Sequence, residues 1–422
     1  MINRTFILSV LFACWACLAG LCYGAENSTH QRLINTFFFD NVSVNYFEQM
    51  LQTGNHDLTI RTVKGASLLH YAAVKGDLKL VQELVSQGAD INEKTEFGET
   101  ALHYAAFSGN LDLVKRLIKQ GLNVKAKTEY GHTVLHYAAL SGNLDFVKWL
   151  VKQGLDVNAK TNDKTTVLHL AALSGNLELV QWLIKHGLDV NAKNDSGDTI
   201  LHSAVLNGNL ELVQWLVENG ADVNAADATG TTVMDKALSV GSAELVRWLM
   251  ENGVEIQDKA QWANDAIPTA ATSGNLELVE LLVNQGADVN SKDFLTGITV
   301  LHAAVQSRNL QLVQWLVEKG ADLSAKNNSS RIAIHFAARS GNLEMVEWLV
   351  IKGQDVNAKD CFGMSVLHFA AYTGNLELVQ WLVEKGADIS AKSNNETTVL
   401  ACAATSRNKK LVEWLKEQGA KE

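Results

Sequence analysis

Proline is almost absent from this chain, because Pro268 is the only one among 422 residues. Proline-rich linkers and proline-rich recognition segments are therefore excluded. Cysteine is scarce as well, since only Cys361 and Cys402 lie beyond residue 24. Two cysteines 41 positions apart make neither a disulfide framework nor a zinc-ligand pattern. We interpret both as ordinary thiols.

Positive charge is in deficit. The chain has 36 Lys and Arg against 46 Asp and Glu, which gives a net charge of −10 at pH 7. A chain this acidic is repelled by nucleic acid phosphates and by an anionic membrane surface, so we expect no nucleic acid partner. Hydrophobic residues make up 47% and charged residues 19% of the chain, which excludes a mostly disordered protein.

Long apolar runs are absent except at the start of the chain. Residues 5–25 carry no charge, Arg4 precedes them, and Glu26 is the first acidic residue. This pattern predicts a secretory signal peptide over residues 1–24 and an exported protein. The alternative is an uncleaved anchor, because residues 5–25 are long enough to span a bilayer. We expect contact with a membrane only in that case.

The rest of the chain consists of one repeated sequence motif. Leu-His-Tyr-Ala recurs at His70, His103 and His136, and the same position then returns every 33 residues, with a single step of 34. We call it the histidine position. Its eleven occupants are His70, His103, His136, His169, His202, Asp235, Pro268, His302, His335, His368 and Ala401.

Each unit is built for two short helices. Alanine stands two residues after the histidine position in all eleven units, where it allows close packing. Glycine stands six residues after it in nine units and eighteen residues after it in all eleven, as left-handed helix ends require. Asparagine before an apolar face of helical spacing predicts a capped second helix.

Gly-x-Thr-x-Leu-His-x-Ala-Ala, Gly-Asn-Leu-Glu-Leu-Val and Gly-Ala-Asp-Val-Asn-Ala together resemble the ankyrin repeat. The resemblance implies an all-α, ankyrin-type solenoid of stacked helix-turn-helix units with short β-hairpin loops. The family's proline, two residues before the histidine, is missing here. Residues 65–422 form the predicted solenoid, which is irregular around 255–297. Residues 25–64 hold an N-terminal segment and a degenerate capping repeat.

The recurring histidines and tryptophans are interpreted as structural. One histidine per unit at a constant place is typical of a hydrogen-bonded scaffold, whereas a metal site needs ligands that converge. Tryptophan stands thirteen residues after the histidine position in eight units, which favours packing between second helices over an exposed aromatic stripe. Known catalytic motifs are absent. We expect no enzyme activity, no metal and no cofactor.

Positions that vary between units are the candidates for partner binding. In ankyrin-like folds, partners dock on the concave face. It is formed by the hairpin tips, six residues before the histidine position (the tip position), and by the first helix four residues after it (the outer helix position). Exposed apolar rows mark protein interfaces. The N-terminal half is predicted to expose such a row: Phe97, Phe107, Tyr130, Leu140, Leu173 and Leu206. The alternative is that tight stacking buries it.

Trp262 is a separate candidate. It occupies a tip position in the irregular stretch, outside the tryptophan series. We interpret this stretch either as repeat decay or as a hinge or local docking point built on Trp262.

The predicted function is a non-catalytic, exported protein-protein interaction scaffold that binds a protein on its concave face. Three alternatives stay open. The chain could be a membrane-anchored or toxin-like protein, a regulator that masks a partner enzyme, or a microbial effector acting on host proteins.

Overall fold

Each 33-residue unit folds as a pair of short helices joined by a turn. The computed structural model describes residues 47–51, 57–256, 258–293 and 295–421. Within these ranges the regular repeats have first helices of 7 or 8 residues and second helices of 9 residues. The predicted fold class, an all-α ankyrin-type solenoid, is confirmed.

The chain divides into two compact units. Unit 1 contains the described residues up to Val240 together with Trp248–Val254. A helical stretch over residues 47–51 precedes its labelled helices, and Phe47 in that stretch packs on Tyr71. The helices are Leu68–Val74 (α1), Leu78–Ser86 (α2), Ala101–Phe107 (α3), Leu111–Lys119 (α4), Val134–Leu140 (α5), Leu144–Lys152 (α6), Val167–Ser174 (α7), Leu177–Lys185 (α8), Ile200–Asn207 (α9), Leu210–Glu218 (α10) and Val233–Val240 (α11).

Unit 2 contains Gly241–Arg247 and the described residues from Glu255 onward. The next helix, Ala243–Glu251 (α12), contributes residues to both units. The remaining helices are Lys259–Ser273 (α13), Leu276–Asn284 (α14), Val300–Gln306 (α15), Leu310–Glu318 (α16), Ala333–Ser340 (α17), Leu343–Ile351 (α18), Val366–Thr373 (α19), Leu376–Glu384 (α20), Val399–Thr405 (α21) and Lys409–Glu417 (α22).

The histidine joins each hairpin to its first helix. In α5, Nδ1 of His136 accepts a hydrogen bond from the backbone N–H of Thr133 at 3.2 Å and lies 2.8 Å from the Thr133 hydroxyl. This arrangement leaves the proton on Nε2, and in His368 that atom donates to the Thr397 carbonyl of the next repeat at 3.0 Å. The predicted scaffold role of the histidines is confirmed by these contacts.

Asparagine links consecutive repeats at the start of the second helices. The side chain of Asn375 accepts from the backbone N–H of Leu378, which caps α20, and donates to the carbonyl of Gly341 in the preceding repeat at 3.0 Å. The same pair of bonds recurs at Asn110 and Asn209 in unit 1. Each asparagine therefore satisfies its own helix and ties it to the neighbouring repeat.

Glycine positions of the repeat keep their left-handed backbone even where glycine is missing. Arg308 and Arg407, six residues after the histidine position, have φ of 64° and 62°. Lys164, Ser330 and Glu396, which replace the hairpin glycine, have φ between 58° and 63°. The stacked repeats thus impose a conformation that these side chains disfavour.

The predicted β-hairpin loops contain very little β structure. Among the described residues, β structure is confined to isolated antiparallel bridges in nine hairpins, such as Lys127 with Thr133 and Lys359 with Ser365, and the hairpin over 326–332 has none. The bridge closes a tight turn that places the tip residues at its end.

The irregular stretch has a specific form. Instead of a hairpin, the chain forms the 15-residue helix α13 here, which includes Pro268. Trp262 therefore lies inside a helix, and its prediction as a hairpin-tip residue is wrong. Asp258 caps the helix by accepting a hydrogen bond from the backbone N–H of Gln261. The helix therefore begins about two helical turns earlier than the first helices of the regular repeats.

The predicted signal peptide, residues 1–24, lies outside the described residues, as does most of the predicted segment 25–64. None of the helices in the described part of the chain has the length and apolar character that a bilayer crossing requires. The domain boundaries stay predictions.

Burial of the histidines predicts acid sensitivity. It lowers the pKa of His70 and His103 to about 4 and that of His136 to about 3, whereas an unfolded histidine titrates near 6.5. Below pH 6.5 the unfolded chain therefore binds protons that the folded chain does not, so stability is full above pH 6.5 and falls toward pH 4. We expect a loss of roughly 1 kcal/mol at pH 5.5 for each of these three histidines, seen as a lower urea midpoint.

The control is a pair of glutamine variants. H136Q should weaken the pH dependence of the urea midpoint, whereas H186Q, at an exposed histidine of α8, should leave it unchanged. Equal pH dependence in both variants would contradict the assignment.

Candidate functional site

The candidate site is the face formed by the hairpins and the first helices. Backbone hydrogen bonds run from hairpin to hairpin: Asn162 N–H to Tyr130 O at 2.9 Å in unit 1, and Asn394 N–H to Phe362 O at 2.9 Å in unit 2. First helices of consecutive repeats pack directly on one another, as α17 does on α19. Tip positions and outer helix positions therefore form two parallel rows within each unit.

The predicted apolar row of unit 1 is only partly exposed. Phe107 is 2% and Leu206 is 8% exposed, so both are buried and the expectation that they are available to a partner is wrong. Leu140 and Leu173 are half-buried. Neighbouring first helices stack closely enough to cover the larger side chains at this position.

The aromatic tips of unit 1 pack against each other. The rings of Phe97 and Tyr130 have centroids 5.7 Å apart, and both residues are half-buried. Trp262 is half-buried within α13. The structure therefore brings Phe97 and Tyr130 together on adjacent hairpins and places Trp262 on a different kind of element. Their proposed role in partner binding stays a prediction.

In unit 1, the corner between hairpins and first helices holds a polar network that sequence reasoning missed. The carboxylate of Glu99 accepts hydrogen bonds from the hydroxyls of Tyr104 and Tyr137, each at 2.7 Å. Burial raises the pKa of both tyrosines well above its ordinary value, and the nearby carboxylate adds to this effect. The sequence feature that could have revealed this network is the tyrosine directly after His70, His103 and His136. The network holds one hairpin against the first helices of two consecutive repeats.

Farther along unit 1, the same corner is charged. The ammonium of Lys236 lies 3.5 Å from a carboxylate oxygen of Asp198 and 3.8 Å from one of Asp227. All three residues are at least partly buried. Since the lysine sits between two carboxylates from consecutive hairpins, it offsets their mutual repulsion.

Among the described residues, unit 2 presents the most exposed aromatic side chains of the face. Phe362, at a tip position, is 53% exposed, and Tyr372, at an outer helix position, is 63% exposed. The sequence placed both residues in the right rows but did not show that they are more exposed than the row in unit 1. Exposure at these positions depends on the neighbouring repeats, which differ from one end of the chain to the other.

The tryptophans of the second helices are half-buried. Lysine side chains one turn later cover Trp315, Trp348 and Trp381, with Nζ 5.4 to 5.5 Å from the ring centroid. Cation–π contacts of this kind shield an indole on an outer helix. The tryptophan series is thus packed partly under its own helix.

The described part of the chain shows no grouping of side chains that is typical of catalysis or metal binding. No group of three or more His, Cys, Asp or Glu side chains there could hold a metal ion. Tyr137, Lys236 and His368 each contact a neighbouring repeat. Within each unit the arrangement offers a preformed surface with varied side chains.

The outer helix position supplies a stability test. Phe→Ala changes in a core cost about 3–5 kcal/mol, so F107S should lower the free energy of unfolding by about 3 kcal/mol or more. Y372S, the same position in unit 2, should change it by less than about 0.5 kcal/mol because that side chain is exposed. Urea unfolding measures both. Equal midpoints for the two variants would contradict the burial of Phe107.

Comparison with known proteins gives a consistent result. A family model for ankyrin repeats in three copies matches residues 69–161, 154–227, 233–327, 267–360 and 334–422. A second model, for ankyrin repeats in many copies, matches residues 207–250. The search of curated proteins gave no match.

Proposed function

Since the chain belongs to the ankyrin-repeat family, whose repeats are generally protein-protein interaction modules, we propose that it is a non-catalytic scaffold that binds another protein. The binding surface is the face of hairpin tips and first helices. We further propose that the protein is exported, with residues 1–24 acting as a signal peptide.

The observation that carries this proposal is where the repeats differ from one another. Frame positions repeat almost unchanged: the histidine, the alanine after it, the glycines and the capping asparagine. Tip positions instead change from repeat to repeat: Phe97, Tyr130, Asp163, Ser196, Thr229, Thr296, Ser329, Phe362 and Asn395. All nine are half-buried or exposed. A constant frame that holds such variable side chains is suited to recognising one shape and charge pattern.

Rigidity supports the same function. Hairpin-to-hairpin backbone bonds and the asparagine links between repeats hold the surface in place before a partner arrives. A preformed surface loses little conformational entropy on binding, so many modest contacts suffice for affinity.

Site-specific photo-crosslinking tests the binding face. Benzoylphenylalanine at Tyr130 or Phe362 replaces one aromatic hairpin residue with another, whereas the same group at the exposed Glu178 or Glu344 probes the second helices. In the exported fraction of the producing culture we expect a discrete adduct with one protein from the hairpin positions and none from the helix positions. Adducts from the second helices alone would contradict the proposed face.

Intact mass tests export. We expect the endogenous protein to lack residues 1–24 and to be recovered from the soluble exported fraction. A full-length mass in the membrane fraction would contradict cleavage and would favour an anchor through residues 5–25.

A further inference from the structure

We propose that the hairpin and first-helix face of unit 2 binds an acidic protein segment that brings an apolar side chain to Phe362 and Tyr372. This inference deepens the proposed function and rests on it. It names the part of the surface and the chemistry of the partner.

Charge is segregated in unit 2. The hairpin and first-helix segments 292–308, 326–341, 359–374 and 392–407 contain eight Lys or Arg residues and three acidic ones. The second-helix segments 309–325, 342–358, 375–391 and 408–422 contain eleven acidic residues and seven basic ones. From residue 292 onward, one side of unit 2 is therefore basic in a chain whose net charge is −10, whereas the irregular segment 255–274 before it has three acidic residues and one lysine.

Unit 1 lacks this segregation. Its corresponding hairpin and first-helix segments, 61–76, 94–109, 127–142, 160–175, 193–208 and 226–240, contain nine basic and eight acidic residues. Complementarity to a negative partner is thus a property of unit 2 and not of the repeat in general.

The apolar anchors lie on the same face as these cations. Arg331 donates through Nε to Asp360 at 2.9 Å, and its guanidinium carbon lies 4.9 Å from the centroid of the Phe369 ring. Phe369 and Tyr372 are three residues apart on α19, so they share one side of that helix. Arg331 and Phe369 therefore connect the hairpin to the exposed tyrosine.

Asp360 fixes the hairpin turn that carries the other apolar anchor, Phe362. Its buried carboxylate accepts hydrogen bonds from the backbone N–H groups of Phe362 and Met364, each at 2.9 Å. The tight turn leaves the Phe362 ring 53% exposed. An aromatic side chain held open to solvent on a rigid hairpin is a typical anchor of a protein interface.

Free positive charge surrounds the anchors. Arg339 occupies the outer helix position of the repeat next to Tyr372, and Lys359 precedes the Phe362 hairpin turn. Both are exposed, and neither forms an ion pair with a described carboxylate. Their charge is available to a partner, whereas that of Arg331 is taken by Asp360.

A protein segment is favoured over single-stranded nucleic acid, which also combines negative charge with stacking bases. The acidic second helices and the net charge of −10 oppose the close approach of a long polyanion. A short acidic segment meets only the basic face.

A random peptide display library, selected against the purified full chain, tests the proposal. We expect the enriched peptides to carry net negative charge and an aromatic or aliphatic residue. Fluorescein-labelled copies should bind at least tenfold more weakly to F362S/Y372S and to R339E/K359E, and more weakly at 500 mM than at 100 mM NaCl.

The matched control is K94E/K160E, which reverses two exposed lysines at the place of Lys359 in hairpins of unit 1. It should bind the peptides as the unaltered protein does. All four substituted side chains of the unit 2 variants are exposed, and an unchanged urea midpoint confirms that the variants are folded.

The outcomes separate this proposal from the proposed function. Enriched peptides that bind regardless of the unit 2 variants, or that lack acidic residues, overturn the assignment to this surface but leave a protein-binding scaffold. Failure of any peptide to enrich, with no crosslinked protein, overturns both. Tighter binding of a labelled single-stranded oligonucleotide, lost in the same variants, overturns the choice of partner.

Discussion

Mutual burial between neighbouring repeats is the constraint on which this structure depends. Helices of seven to nine residues are too short to be stable alone in water. Their leucines and alanines become buried only when first helices stack on first helices, as α7 does on α9. The capping asparagines then form hydrogen bonds with the neighbouring repeat, as do the Nε2 atoms of His169, His202 and His368. Within the described residues, the buried Nε2 atoms of His70, His103 and His136 have no hydrogen-bond partner.

The surface follows from that stacking. Because each hairpin is bonded through its backbone to the next, the tip residues keep a constant register within a unit. Tip residues contribute little to the core and vary from repeat to repeat. Corner residues serve the frame in different ways: Glu99 binds two tyrosines in unit 1, and Arg331 covers Phe369 in unit 2. The frame is shared, while the chemistry displayed is local.

Predictability from sequence followed the strength of repetition. We could infer the helix positions, the left-handed turns and the role of the histidines because the same residue types recur at the same positions across eleven units. The hairpin replaced by α13 occurs once, so no second unit revealed it. Exposure was harder still, since Phe107 and Tyr372 hold the same repeat position, and one is buried while the other is open.

The sequence by itself determined the architecture, because a 33-residue period places the same small, apolar and capping residues at the same positions of every unit, so that each unit packs on the next in the same way. Tertiary structure alone decided which variable residues meet solvent. Exposure depends on the side chains of adjoining repeats, which lie about one repeat away in sequence, and a pattern read within one repeat does not contain them. For that reason the exposure of Phe362 and Tyr372 emerged only from the folded chain, whereas the lysines and arginines of the same segments can be counted in the sequence.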